Sequence, residues 1–318
     1  CPHILAEPMR TNLIPYSEDF SSWSSGTSYV TSDYSISPDG TQNASRCLFT
    51  NSNQSLSIPT SLGTSVEANG SIYIKGNSGE TIQIAVGGVD KLITLTNDWK
   101  RYDATKTSVN SQFNVNTWGS TTARDFQIWG AQLEVGSYPT SYIPNFGTAL
   151  GVTRNQDIFT RDGIGSLIGQ TEGTFFIELS KPVLNPDSYY LISLNNAAAD
   201  TNANSVTIGF DSSSADFYIR LESGGSTIYV DNNRASLANT FYKIAVAYKS
   251  GQSLIYIDGS PITPNSGSLS GAFSFSETLD NLSFDYDGNN SLPFYGNVKQ
   301  LQVYDIALTP TQLAALTS

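Results

Sequence analysis

The stretch from Phe241 to Gly259, FYKIAVAYKSGQSLIYIDG, decides the fold. Tyr242, Ile244, Val246 and Tyr248 alternate with Lys243, Ala245, Ala247 and Lys249. That period of two gives a strand with one large-residue face and one thin face. Ser250-Gly251-Gln252 supplies a turn, and Leu254, Ile255, Tyr256 and Ile257 begin a second strand closed by Asp258-Gly259. The segment reads as a β-hairpin.

The same grammar runs outward in both directions. Strands are expected at 189–194, 206–210, 217–221 and 227–230 before the hairpin, and at 273–275, 281–286 and 297–304 after it. Towards the N-terminus, eight more are expected at 46–50, 54–58, 71–75, 81–86, 91–95, 100–105, 111–115 and 126–133. Turn signals such as Pro38-Asp39-Gly40, Asn77-Ser78-Gly79 and Gly87-Gly88 separate them, at the spacing of a sandwich. The chain closes on Thr309-Pro310-Thr311-Gln312-Leu313-Ala314-Ala315-Leu316. Thr there can cap a helix and Pro fits its first turn, with Leu313 and Leu316 turned to the sandwich. Over 318 residues with only 14% charged, the fold class is all-β: two tandem antiparallel β-sandwiches and a short C-terminal helix.

Two resemblances refine this. The hairpin, together with Phe294-Tyr295-Gly296-Asn297-Val298-Lys299-Gln300-Leu301-Gln302-Val303-Tyr304-Asp305, resembles the central hairpin and closing strand of laminin-G-like domains, a branch of the concanavalin-type lectin sandwiches. That likeness spans residues 164–318. In the N-terminal half, Asn12-Leu13-Ile14-Pro15-Tyr16-Ser17-Glu18-Asp19-Phe20 with Trp23 resembles the opening of a galactose-binding or carbohydrate-binding jelly-roll of bacteriophage tail and fibre proteins. Asn97-Asp98-Trp99-Lys100-Arg101-Tyr102 and Asp125-Phe126-Gln127-Ile128-Trp129-Gly130-Ala131-Gln132-Leu133-Glu134 are similar to its later strands. Gly165-Ser166-Leu167-Ile168-Gly169-Gln170-Thr171-Glu172-Gly173 is again similar to phage fibre sequences. The domain plan is therefore an arm or linker at 1–11, a jelly-roll at 12–146, a linker and first edge at 147–163, and the laminin-G-like sandwich at 164–318.

Composition excludes several classes of partner. A net charge of −12 and a pI near 4.4 leave no basic field for nucleic acid and disfavour anionic membranes. No apolar run reaches a membrane span, and CPHILAEPMR lacks the basic start and apolar core of a signal peptide. Cys1 and Cys47 are the only thiols, too few for a disulfide framework. A protein made in the host cytoplasm and displayed on a virion fits that pattern.

Catalytic chemistry finds little support in the sequence. The single histidine, His3, lies in the arm, which removes a His-based triad and the usual zinc sites. The Glu-x-Asp-x-x-Glu strand of β-glucanase-like sandwiches has no match, and Tyr242 and Lys243 point to opposite faces of one strand, so they cannot serve together in a lyase. Asp285-Tyr286-Asp287-Gly288-Asn289-Asn290 alternates carboxylates and amides around a turn Gly. It reads first as a turn, which needs no ion, and then as a candidate calcium site through Asp285, Asp287 and Asn289, a metal that laminin-G-like relatives often hold at a rim loop; no cofactor is otherwise required.

Sugar modules stack flat rings on pyranose faces. Trp99 and Trp129 sit in strand motifs and are expected in the core. Trp23, Tyr29, Tyr34 and Trp118 lie in polar, loop-like surroundings, and Tyr189, Tyr190 and Tyr286 stand beside acidic residues. The first four with Tyr189 and Tyr190 are the candidate carbohydrate contacts. The function expected is non-enzymatic attachment of a phage particle to a host-surface polysaccharide or glycan, by a tail fibre or receptor-binding protein on the virion surface. Other virion proteins are expected partners, with the chain as a homo-oligomer, a trimer in the particle. Structural decoration of a capsid or tail is the main rival; a polysaccharide depolymerase and a bacterial adhesin are further ones.

Overall fold

The computed structural model describes residues 3–59, 62, 65–107, 112–118, 123–183, 189–196, 203–212, 216–288 and 290–318. The chain forms two compact units, one from Met9 to Gln156 and one from Asp157 to Ser318 that also takes in the chain up to Pro8. Among the described residues, no helix is long and apolar enough to cross a membrane.

In the first unit, a five-stranded antiparallel sheet runs in the order Val30–Ser35, Ala44–Phe49, Arg124–Val135, Glu67–Gly76 and Lys100–Thr107. It faces a four-stranded sheet of Ser55–Pro59, Gln112–Asn116, Thr81–Val86 and Val89–Thr94. Alternate residues from both sheets, including Phe49, Ile58, Ile72, Ile84, Phe113 and Phe126, form one buried core. The Thr81–Val86 strand has its expected bounds, and its neighbours shift by one to a few residues. Val30–Ser35 was not expected; its residues are exposed or half-buried with Val30 packed on the core, and Asp33 takes a positive φ.

The second unit packs a six-stranded sheet against a seven-stranded one. The first runs Ile4–Ala6, Gly296–Tyr304, Glu172–Ser180, Tyr242–Lys249, Leu254–Ile257 and Ser260–Ile262. The second runs Thr160–Arg161, Asn281–Ser283, Tyr190–Asn195, Ser205–Phe210, Phe217–Ser223, Ser226–Asp231 and Ser266–Gly267. The hairpin forms in the expected register, with Ile244 opposite Ile257 and Ala247 opposite Leu254. Its large face, Ile244, Val246 and Tyr248, joins the core between the sheets. Its thin face has a reason of its own: Ala245 and Ala247 make room for the C-terminal helix Pro310–Thr317, whose Leu313 is fully buried against them with Phe176 and Tyr256. The Thr309 capping box closes that helix with Gln312.

Three expectations are corrected. Residues 3–8 are not a free arm: Ile4–Ala6 adds an edge strand opposite Gly296–Val298, and Glu7 and Asp157 exchange hydrogen bonds of 2.9 and 3.0 Å. Of 147–163, expected as a linker and first edge of the second sandwich, Thr160–Arg161 does form an edge strand there beside Leu282 and Ser283, but Val152–Arg154 is no linker, pairing with Arg10–Asn12 in the first unit. The segment 273–275 is not a strand; Phe273 N–H donates to the Ser250 hydroxyl instead of a ladder partner, and the Phe273 and Phe275 rings lie on the core.

Candidate functional site

Strand Phe217–Ser223 carries two faces. Phe217, Ile219 and Leu221 enter the core, so the period of two turns Tyr218, Arg220 and Glu222 to the other side of the seven-stranded sheet. There the Arg220 guanidinium donates to the Glu222 carboxylate at 2.6 Å, to the Thr227 hydroxyl at 2.7 Å and to Tyr218 Oη at 3.3 Å. It also donates to Tyr286 Oη, which in turn donates to the second Glu222 oxygen at 3.1 Å. Tyr189 packs edge-on against the Tyr218 ring at 5.2 Å. The result is a half-buried cluster of three tyrosines around one ion pair.

Burial shapes the electrostatics of this cluster. It raises the Glu222 pKa above the ordinary carboxylate value despite the attraction of Arg220 and the Tyr286 hydrogen bond. For Arg220 burial acts the other way, but the surrounding Tyr218, Tyr286 and Glu222 outweigh it and the pKa rises. Burial, then Glu222, pushes the Tyr286 phenol up, so it stays a protonated donor at neutral pH.

Tyr286 reaches Arg220 because of the turn before it. Asp285 Oδ1 accepts from the Ser283 hydroxyl (2.7 Å) and from the backbone N–H of Asp287 (3.1 Å) and Gly288 (2.6 Å), while Oδ2 accepts from Asn290 N–H (2.9 Å). The turn is seated on a buried ladder in which Ser193 donates to the carbonyls of Asp285 and Tyr286, and Asn195 donates to Ser193 and Ser283. Asn281 donates to Asn195 at 2.8 Å. Both oxygens of Asp285 thus hold N–H and O–H donors where calcium would need lone pairs. Asp287 is half-buried and accepts from Ser291 N–H at 3.4 Å, and Asn289 lies outside the described residues. Among the described residues, no group of three His, Cys, Asp or Glu is placed to hold a metal. Asp285 thus builds the turn that presents Tyr286, a role that needs no ion. Asp285→Ala is expected to cost the second unit about 2–3 kcal/mol, while adding calcium or a chelator leaves the melting temperature of the native chain unchanged; a chelator-sensitive transition would restore the metal.

The remaining candidates separate. Trp23 is 3% exposed, tied by its indole N–H to the Tyr16 carbonyl and packed on Phe20 and Phe113, so it is core and cannot stack on a sugar. Tyr190 is buried against Tyr295, on the opposite side of its strand from Ser193, and is also core. Tyr29 is half-buried edge-on to Phe49. Tyr34 and Trp118 are the exposed rings, at 48% and 38%. Only Tyr189 joins the cluster. Arg220 and Glu222 were missed, although the alternation of Phe-Tyr-Ile-Arg-Leu-Glu holds their signal.

With this geometry in hand, comparison with known proteins bears on the second unit. Residues 183–314 match the concanavalin A-like lectin/glucanases superfamily. The C-terminal half thus carries a lectin-like domain of this type, and the matched span includes Tyr189, Tyr218, Arg220, Glu222 and Tyr286. No curated protein matches the chain. Similar solved structures include the CBM40 module of the Ruminococcus gnavus IT-sialidase, with 16% identity over 50% of this chain and 98% of that one and a TM-score of 0.39. A SAP-like pentraxin from Limulus polyphemus shares 15% identity over 48% and 72%, with a TM-score of 0.36. The leech intramolecular trans-sialidase shares 17% over 47% and 23%, with a TM-score of 0.34.

Proposed function

We propose that the chain is a non-enzymatic glycan-binding protein whose saccharide site is the polar face of the seven-stranded sheet around Arg220. The observation that carries this reading is the cluster itself. A fixed guanidinium, protonated phenols and a carboxylate converge on the side of the sheet away from the core, where Tyr189, Arg220 and Tyr286 stay half-buried while Ser193, Ser205 and Thr207 are fully buried, and sugar hydroxyls need such paired donors and acceptors beside aromatic edges. A glycosidase needs two carboxylates free to act across a bond, whereas Glu222 is spent on Arg220 and Tyr286. The lectin-like match of residues 183–314 supports binding. The phage-like segments of both halves support display on a virion surface, where many weak sites would add up by avidity.

The test is a glycan array with the intact chain, followed by titration and by mass spectrometry of any bound oligosaccharide. Arg220→Ala is expected to weaken binding at least tenfold. Tyr286→Phe keeps the ion pair and loses the hydroxyl that bridges Arg220 and Glu222, so it is expected to weaken binding severalfold with the melting temperature near that of the native chain. Binding that survives both changes would place the site elsewhere. Cleavage products would overturn the non-enzymatic reading.

A further inference from the structure

The first unit has a concavity of about 330 Å³ at one end of its five-stranded sheet, lined by Tyr34, Lys75, Asn77, Asn97, Asp125 and Gln127. Asp125 of the lining forms a two-pronged pair of 2.8 and 2.6 Å with Arg46 beside it, and the Arg46 guanidinium lies 5.4 Å from the centre of the exposed Tyr34 ring. The Lys75 ammonium sits 4.9 Å from the Trp99 ring, whose indole N–H is fixed on the Ile36 carbonyl at 3.1 Å. The rings and cations are held in place before any ligand arrives.

The hydrogen-bond accounting is lopsided. Asn97 gives its oxygen to Ser78 N–H, Gln127 gives its oxygen to the Ser35 hydroxyl, and Asp125 gives both oxygens to Arg46. Among the described residues, the amide NH₂ groups of Asn97 and Gln127 and the Lys75 ammonium have no hydrogen-bond or ion-pair partner. What the lining still offers is mostly donors, and because Arg46 beside it neutralises Asp125, the Lys75 ammonium is the lining charge left without a counter-ion, on a chain of net charge −12. An occupant must therefore be rich in acceptors, anionic, and flat enough to lie on a ring.

We propose that this concavity is a second binding site, specific for a saccharide ring bearing a carboxylate, such as a uronate. It is independent of the Arg220 face and has its own reporter, because Trp23, Trp99, Trp118 and Trp129 are the only tryptophans and all lie in the first unit.

The experiment titrates the intact chain with uronate oligosaccharides, with neutral oligosaccharides of equal length and with sodium sulfate, reading tryptophan emission and binding heat. A saturable emission change is expected with the uronates alone. Lys75→Gln and Tyr34→Ala, both surface changes, are expected to weaken it at least tenfold, and Tyr286→Phe to leave it unaltered. An equal response to neutral sugars, no response to any uronate, full retention in Lys75→Gln, or saturation by sulfate alone at the same concentration would each overturn the proposal. A uronate response lost in Tyr286→Phe would instead place binding at the Arg220 face.

Discussion

Replacing Asn12 by alanine is expected to destabilise the first unit by about 3–5 kcal/mol, the range for breaking a buried polar network that strands several partners. The Asn12 side chain is fully buried. Its oxygen accepts from the backbone N–H of Ile14 (3.0 Å) and Leu133 (3.1 Å). Its NH₂ donates to the Ser17 hydroxyl (2.8 Å), to the Ile143 carbonyl (2.7 Å) and, as a longer shared bond, to the Ala131 carbonyl (3.3 Å). One amide therefore joins the start of the unit to its last long strand and to the segment that leaves it. Alanine leaves two buried N–H groups without an acceptor and two carbonyls without the amide that joined them. Asn12→Asp is expected to lose a similar amount at neutral pH, because the carboxylate would face two carbonyls. Burial would raise its pKa in the folded state, so part of the loss returns as pH falls and the new group becomes a donor. Urea unfolding followed by tryptophan emission reads this unit alone. An unshifted midpoint for Asn12→Ala would mean that the network contributes nothing to folding.

That residue also marks how far the sequence could be read. Asn12 stood in a recognisable opening motif, yet three of its five partners, Ala131, Leu133 and Ile143, lie 119 to 131 positions away, and no local pattern announces them. Local rules did announce the hairpin, since Gly251 and the Asp258-Gly259 pair take the positive φ values that their turns demand. The same Asp-Gly pair should have predicted the further strand Ser260–Ile262; Pro261 hid it, because Pro is tolerated only on an edge, which is where this strand lies. The short strands Ile4–Ala6 and Thr160–Arg161 had no signal of their own, being set by partners far along the chain.

The site was legible in part for similar reasons. Trp23 stands among serines, so its neighbourhood reads as a loop, while Phe113, ninety positions on, buries it. Tyr190 could have been placed, because it shares a period of two with Ile192 and Leu194 and must face the core with them. The Asp285 stretch reads from its sequence as a polar turn. Its chemistry was ambiguous because a carboxylate that organises backbone N–H groups and one that binds a cation need the same Asp, Asn and Gly composition.

Trp129→Ala is expected to destabilise the first unit by about 3–5 kcal/mol, as a large-to-small change at a buried aromatic. The residue is buried but stands outside the core between the sheets. A register shift between Trp129 and Gln132, with Gly130 at a φ of +62°, sets it between the rings of Tyr73 at 5.3 Å and Tyr142 at 4.6 Å. Tyr142 belongs to the exit segment, which is held to the sheet by Tyr142 Oη donating to Glu18 (2.9 Å), Ile143 N–H to Gln132 (2.6 Å) and Thr140 N–H to Glu134 (2.9 Å). Trp129 is thus the apolar seat under a polar strap, and without it water reaches hydrogen bonds that are strong because they are sheltered. Trp129→Phe keeps a ring between the two tyrosines and is expected to lose less. Because the substitution removes one reporter, unfolding is followed by far-ultraviolet circular dichroism together with the remaining tryptophans. If alanine and phenylalanine cost the same, ring stacking carries no share of the stability; if neither shifts the midpoint, the hydrogen bonds hold the strap alone and Trp129 is no part of the folding core.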